Sequence, residues 1–443
     1  MTGSLRGRGG MPALVDLLRR VGLLRHPVAA SRILGRYGGT LAAAIELGAL
    51  HGDDRIALVR GGNRVTYGRL RDDVRATAAA LSERWPEGTA VSVADAATAV
   101  GVVLPAAAIA AGLDVVPLGP RLGDADRAAI RRREGIAAVL TAADVRSDSG
   151  AVVLRRTPGR LRMLSSGSTG VASATVRGGM GVRALMPLAD LDRRIGWPRG
   201  AVLVLPPLDH GHGLSTVVAG LLRGETMLLA SGLPADELGA LVRADAPATV
   251  TGVPLQLTRA LRAGVFAAER PPRLVVSGSS RLSEEVAARL QATGARVIDC
   301  LGSTETGTFA TRVPPAAFRP LAGVRIEVRD DGAVSVDSAM SGGAVRTGDI
   351  GGIRRGALVL AGRADGLVDT AGELVSSDRI VRELRALPQV RSCRVEVTAD
   401  ELRGAVITAY VQVHDAAVTH EHLRDALIPT LGRAGIPRRI EVV

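Results

Sequence analysis

The sequence predicts an α/β protein built on largely parallel sheets, followed by a smaller C-terminal domain. From Arg55 to about Glu305, short apolar strands alternate with helical stretches, the rhythm of βαβ units. Most of those strands end in a polar or glycine turn, and in such sheets ligands sit at the carboxyl ends of strands. After Pro320 the texture changes to short strands with Gly/Asp turns, and the turn Gly-Arg-Ala-Asp-Gly at residues 362–366 separates these from a helix-bearing segment.

Length and composition suit that reading. A chain of 443 residues with 47% hydrophobic and 23% charged residues has room for one large domain and one small one. The formal charge is +12, yet the sequence contains no lysine, and all 56 basic residues are arginine. These arginines are scattered and aromatics make up only 2%, so the cation-plus-stacking pattern of a nucleic-acid binder is missing, and no nucleic-acid partner is expected. Without lysine, a Schiff base, a pyridoxal attachment and a Walker lysine are all excluded. Cys300 and Cys393 are the only cysteines and stand far apart. They suit a reducing cytoplasm and give no spacing for a structural metal.

Taken in order, residues 1–40 form an arginine-rich segment with Leu14, Leu17, Leu18 and Val21 at helical spacing behind a Gly/Arg leader. A tail with a docked helix and a transit or membrane-surface helix are both compatible with it, and any membrane contact is at most peripheral. Residues 41–362 carry the large domain. It opens with the strand Arg55–Arg60, a Gly-Gly-Asn turn, a strand from Arg64 and an amphipathic helix from Val74 to Trp85, a hairpin-then-helix signal. The apolar run Val102–Val116 contains Pro105, Gly112 and Asp114 and is short for a bilayer span, so it reads as a core helix entering a buried strand. A helix over Asp124–Arg133 follows, and later strands centre on Val202, Val250, Val275 and Val297. Residues 363–443 make the small domain, with a helix over Arg379–Leu387 and strands around Val395 and Ile407.

The richest stretch is Ser165–Ser173, SSGSTGVAS, which has the composition of a phosphate cradle. Its glycines permit close backbone approach, and its hydroxyls add donors beside the backbone amides. No cation accompanies them. Four further stretches follow: PPLDHGHG at 206–213, VVSGSSRLS at 275–283, LGSTETG at 301–307, and TGDIG followed by GRADGLVDTAGELVS. In this order and spacing they resemble the adenylate-forming acyl- and aryl-CoA synthetase superfamily of AMP-binding enzymes, most closely its actinobacterial fatty acyl-CoA synthetases. The likeness runs from about Leu41 to the final PRRIEVV.

The resemblance implies a large domain of stacked, mostly parallel sheets with a small β-barrel-like part, and a mobile α+β C-terminal domain. It gives the ATP β- and γ-phosphates to Ser166, Gly167, Ser168, Thr169 and Gly170, and adenine to Gly278, Ser279 and Ser280. Thr304 and Glu305 fall where the family contacts the α-phosphate and Mg2+, with Gly302 and Ser303 beside them and Glu305 as the metal ligand. Thr304, Glu305 and Thr169 are thus the catalytic candidates. Asp349 matches the ribose carboxylate, Arg363 its helper and Asp365 the hinge. His210, Gly211, Thr251 and Gly252 match the acyl pocket, with His210 a lining residue and not a general base. ATP, Mg2+ and the thiol of CoA or of a carrier protein's phosphopantetheine are the implied cofactors.

Three departures qualify the match. Ala172-Ser173 stands where the family has Pro-Lys, Leu301 replaces an adenine-stacking aromatic, and Asp369 occupies a position where lysine or valine is common. The family's second lysine lies beyond a Pro-Arg strand, and the sequence runs to Val443 just after such a strand, so its loss by truncation is also expected. Arg162 or Arg177 near the loop, and Arg433, Arg438 or Arg439 near the end, are the cations that could substitute. The expected activity is ligation of a fatty or related acid to a thiol through an acyl adenylate. The alternative is an impaired homologue that binds nucleotide or adenylate, or performs only the thioester half-reaction.

Overall fold

Short valine- and leucine-rich strands that expose neither face to water fill the middle of a nine-stranded sheet. In the computed structural model, which describes residues 3–7, 11–95, 97–120, 122–147, 156–165, 173–177, 184–339, 341, 343–364, 366–400, 403–415 and 417–443, six strands run parallel at its centre. Their spatial order is Arg296–Ser303, Leu274–Ser277, Thr249–Gly252, Val202–Val204, Met227–Leu229 and Ile56–Arg60. Antiparallel partners close both edges: Gly307–Arg312 with Arg319–Pro320, and Asn63–Thr66.

The expected hairpin forms, with Gly61-Gly62 at its tip between paired Arg60 and Asn63. Its second strand is shorter than its β-rich sequence suggests. The Thr66 hydroxyl accepts from the Arg69 amide at 3.2 Å and starts the helix Tyr67–Arg84, an N-cap that outweighs the strand propensity of Tyr67. Tyr67 is then fully buried, donating its hydroxyl to the Glu225 carbonyl at 2.7 Å.

A second sheet has the order Ala138–Leu140, Ala90–Val93, Asp114–Val115, Leu161–Ser165 and Ser173–Arg177. Helices Leu41–Ala49, Val100–Ala110 and Gly211–Leu222 lie between the two sheets, and their side chains join Val91, Val115, Val202 and Met227 in one core. The long apolar run is therefore the helix Val100–Ala110 leading into the strand Asp114–Val115, as its interrupted composition predicts. Among the described residues no helix is long and apolar enough to cross a membrane.

The third sheet is wholly antiparallel, in the order Gly3–Arg6, Arg325–Val328, Ala333–Ser338, Gly343–Arg354 and Ala357–Arg363. The strand Gly3–Arg6 was not foreseen, because four residues beside a Gly/Arg leader carry no periodicity and their partner is more than three hundred positions away. A fourth sheet, Glu373–Ser376, Leu367–Thr370, Gly404–Val413 and Val390–Asp400 with Arg439–Val442, has a core of its own against helices Ser377–Ala386 and His420–Gly435.

Candidate nucleotide and acyl-transfer site

The parallel strands of the nine-stranded sheet align so that the turns following them are neighbours. Gly252 is level with Ser277, Ser277 is level with Asp299, and the Gly278 amide donates to the Gly252 carbonyl at 3.4 Å. This register brings the predicted acyl-pocket strand, the predicted adenine turn and the Thr304-Glu305 turn to one rim. Thr251 itself points into the sheet, fully buried with its hydroxyl toward the Leu203 carbonyl at 3.5 Å. Gly252 lies against Leu205 and Leu257, where an added Cβ would come within 3.1 Å and 3.3 Å of their side chains.

The predicted adenine turn is closely backed. Ser279 holds a left-handed φ of 64°, and a Cβ on Gly278 would sit 3.0 Å from Nδ1 of His212. His212 lies in the first turn of the helix Gly211–Leu222 and supports the turn from behind, a partner that the sequence reading did not identify. Burial lowers its pKa to about 4, and its Nε2 is enclosed with no hydrogen-bond partner among the described residues. The ring is therefore neutral at physiological pH.

Strand Arg296–Ser303 is irregular at Leu301/Gly302 and folds back at once into Gly307–Arg312. A Cβ on Gly302 would meet the Gly307 carbonyl oxygen at 2.4 Å, so only glycine fits the crossing. Within the turn the Ser303 amide donates to the Thr306 hydroxyl at 3.1 Å and the Thr306 amide to the Ser303 hydroxyl at 3.2 Å. Thr306 is buried by this arrangement, while Thr304 and Glu305 are half-exposed at the rim. Below, Asp299 pairs with Arg312 at 2.7 Å, and burial raises its pKa to about 7.

Mg2+ keeps most of its waters and needs only one or two carboxylates beside substrate phosphates. Among the described residues no three His, Cys, Asp or Glu side chains cluster as a metal cage. The lone half-exposed Glu305 next to the Thr304 hydroxyl fits that donor set.

Asp349 and Arg363 face each other across neighbouring strands of the third sheet, with Nη1 3.1 Å from the Asp349 carboxylate. Arg363 also donates to the Thr347 carbonyl at 3.4 Å, which fixes the guanidinium against the strand that carries Asp349. His210 is the N-cap of the helix Gly211–Leu222, and its Nε2 lies 3.5 Å from Glu373 and 3.8 Å from Asp209.

The small domain contributes a turn. Ser280 donates its hydroxyl to Asp369 at 2.6 Å, the Arg281 amide approaches the same oxygen at 3.4 Å, and the Gly372 amide donates to its other oxygen at 3.1 Å. Burial raises the Asp369 pKa, against these hydrogen bonds. Gly372 packs on Val253, and Glu373 reaches His210. In sequence Asp369 stands only as a departure from the family pattern; its contact with Ser280, 89 positions away, is visible only in three dimensions.

The phosphate-loop residues Ser166, Gly167, Ser168, Thr169 and Gly170, and the hinge residue Asp365, lie outside the described residues. The strands flanking the loop pair up to Ser165 and Ser173. Of the substitute cations, Arg162 is committed to Asp114, with Glu134 3.6 Å away, and Arg433, Arg438 and Arg439 are exposed.

Comparison with known proteins gives this site a context. The model of the AMP-binding enzyme family matches residues 46–163 and 161–345. A probable 2-succinylbenzoate–CoA ligase of Mycobacterium tuberculosis is 30% identical over 274 residues, covering 56% of this chain and 71% of that protein. An o-succinylbenzoate CoA synthetase of Bacillus subtilis superimposes with a TM-score of 0.76 at 18% identity, over 90% of this chain and 94% of that one. A fatty acyl CoA synthetase of Mycobacterium tuberculosis shares the fold with a TM-score of 0.65 at 18% identity, over 92% and 95% of the two chains.

Proposed function

The chain belongs to the AMP-binding enzyme family, and from that premise we propose that it is an acid–thiol ligase working through an acyl adenylate. A substrate carboxylate oxygen attacks the α-phosphorus of ATP and pyrophosphate leaves. A thiol sulfur then attacks the acyl carbonyl, AMP leaves and a thioester remains. The observation that supports this most is the convergence of strand-end turns at one rim, together with the Asp349–Arg363 pair held at 3.1 Å.

In this reading Asp349 accepts both ribose hydroxyls while Arg363 fixes its orientation. The Gly278–Ser280 turn lies against adenine, and residues 166–170 hold the β- and γ-phosphates. Thr304 donates to the α-phosphate, and Glu305 holds Mg2+. When bound, that ion neutralises developing phosphate charge. His210, Gly211 and Gly252 line the acyl side, and the Asp369–Glu373 turn delivers the small domain to the site for transfer to CoA or a carrier phosphopantetheine.

The acid is set at the level of class only. The family resemblance leans to fatty acids, whereas the curated relative is named for 2-succinylbenzoate, an aryl acid. The lysine-free composition favours a second reading, adenylate binding or the thioester half-reaction alone. Loss of one preorganised donor to the transition state typically costs about 10²–10³ in rate.

Acid-dependent pyrophosphate release is the test, with 2-succinylbenzoate and short to long fatty acids, and it should be reduced at least about tenfold by Asp349→Ala. No release with any acid, together with CoA thioester formation from a presynthesised acyl adenylate, would replace the full reaction by the half-reaction. No turnover in either assay, with ATP still bound, would leave a binding protein.

A further inference from the structure

The two helices that precede the large domain, Met11–Arg20 and Pro27–Tyr37, are pinned from within. The strand Gly3–Arg6 ahead of them is hydrogen-bonded into the antiparallel sheet, and behind them Thr40 caps the core helix Leu41–Ala49 by accepting from the Ala43 amide at 3.4 Å. Ala13, Val21, Ala30 and Tyr37 are buried, and Arg20 pairs with Asp192 of the helix Leu185–Ile195 at 3.3 Å. The inward faces of the pair are thus in use.

What remains outside is unusual for this molecule. Met11 is 67% exposed, Val15 38%, Leu24 51%, Val28 62% and Leu34 39%. Among the described residues these are half of the exposed large apolar side chains; the others, Val313, Val359, Val397, Val442 and Val443, are spread over the rest of the chain. Met11, Val15 and Arg19 follow one another at four-residue spacing along one helix face. Arg19, Arg25, Arg32 and Arg36 are exposed around the apolar residues. Asp16 is the sole acid between residues 11 and 45, and it is paired with Arg19 at 3.4 Å. Among the described residues Arg25 and Arg32 have no ion-pair partner.

We propose that the exposed apolar and arginine side chains of this segment are a docking surface for an anionic lipid bilayer, on which the protein sits peripherally. Apolar side chains interleaved with long cations and nearly free of acids match the interface plane, where side chains such as leucine enter the acyl boundary and arginine stems snorkel to lipid phosphates. A flat bilayer accepts a broad helical surface without shape complementarity. Charge complementarity selects the anionic leaflet, since each cation near such a surface adds to binding. The surface is independent of the ligase reading, because none of its residues belongs to the site.

Sedimentation of the full chain with vesicles tests it directly. Vesicles of equal parts phosphatidylglycerol and phosphatidylcholine should carry the protein down at low salt, pure phosphatidylcholine should not, and raised salt should release it. The double variants Leu24→Asp/Val28→Asp and Arg25→Glu/Arg32→Glu should each lower partitioning at least about tenfold. Both should keep the parent melting temperature and pyrophosphate assay, since these side chains are exposed. The proposal is overturned if anionic vesicles fail to bind the parent at low salt. It is equally overturned if both variants bind like the parent, which would assign binding to diffuse positive charge, or if the parent is a dimer that the variants split, which would make the surface a contact between copies.

Discussion

At the scale of single residues, the site depends on groups held in one state by their surroundings. His212 is the clearest, because its neutral ring fills the space behind Gly278. Its folded pKa of about 4 lies below the ordinary value of 6.5, so between these two values the unfolded chain binds more protons than the folded one. The stabilisation is complete above pH 6.5 and is lost as pH falls through the window toward 4. His212→Asn keeps a polar side chain but cannot titrate there. Thermal unfolding measured from pH 7 to pH 4 should fall less steeply for that variant, with a difference on the order of 1–3 kcal/mol at the acid end. Parallel curves would show that the ring is protonated where it sits. Little of this was legible in the sequence, where a histidine beside His210 carries no sign that it backs a turn more than sixty positions later. The Asp349–Arg363 pair was legible because the residues sit in two short motifs, TGD and GR-x-D, that also become neighbouring strands.

At the scale of elements, the strands were readable where apolar runs ended in glycine or polar turns, since that pattern has one physical use in a parallel sheet. Elements defined by distant partners were not readable. Gly3–Arg6 is a strand only because Arg325–Val328 offers it an edge, and the turn after Leu367–Thr370 reaches the site only because its hairpin is aimed there. That turn uses two left-handed residues, Ala371 at φ 61° and Gly372 at φ 88°. Substitutions there should act with opposite signs. Ala371→Gly removes a left-handed alanine and should stabilise by roughly 1 kcal/mol, partly offset by added freedom in the unfolded chain. Gly372→Ala adds that strain and also places a Cβ 2.9 Å from Cγ1 of Val253. It should slow thioester formation from presynthesised adenylate by more than it lowers nucleotide affinity, because Gly372 itself packs on Val253 at the acyl side, whereas Asp369 of the same turn holds Ser280 and lies near Arg363. Equal loss in both assays would show that the turn supports the whole rim.

At the scale of the whole molecule, two contacts besides the turn join the small domain to the second sheet layer of the large one. Gly123, at the start of the helix Asp124–Arg133, fits against Pro429 and Gly432, where a Cβ would meet the Pro429 oxygen at 2.6 Å. Beside it Nη2 of Arg379 lies 2.7 and 2.8 Å from the two Asp126 oxygens and donates to the Thr430 carbonyl at 2.6 Å. Both partners are largely buried, with side-chain exposures of 17% and 13%, so losing one strands the other away from water. Asp126 also lies in the first turn of its helix, where the helix dipole favours a carboxylate even without Arg379. Arg379→Asp sets two acids against each other, and it should loosen the docked orientation without unfolding either sheet. Limited proteolysis should then cut between the third and fourth sheets, after the strand Ala357–Arg363, at least about tenfold faster, since cleavage tracks the open population when opening is rapid. Asp126→Arg in the same chain restores opposite charges in reversed order and should return the cutting rate toward the parent. The argument fails if the single variant is cut no faster, or if the reversed pair is cut as fast as the single variant. In the first case the turn carrying Asp369, Gly372 and Glu373 would suffice to hold the domains together. In the second the contact would depend on the guanidinium's own bonds, the one to Thr430 included, and not on charge.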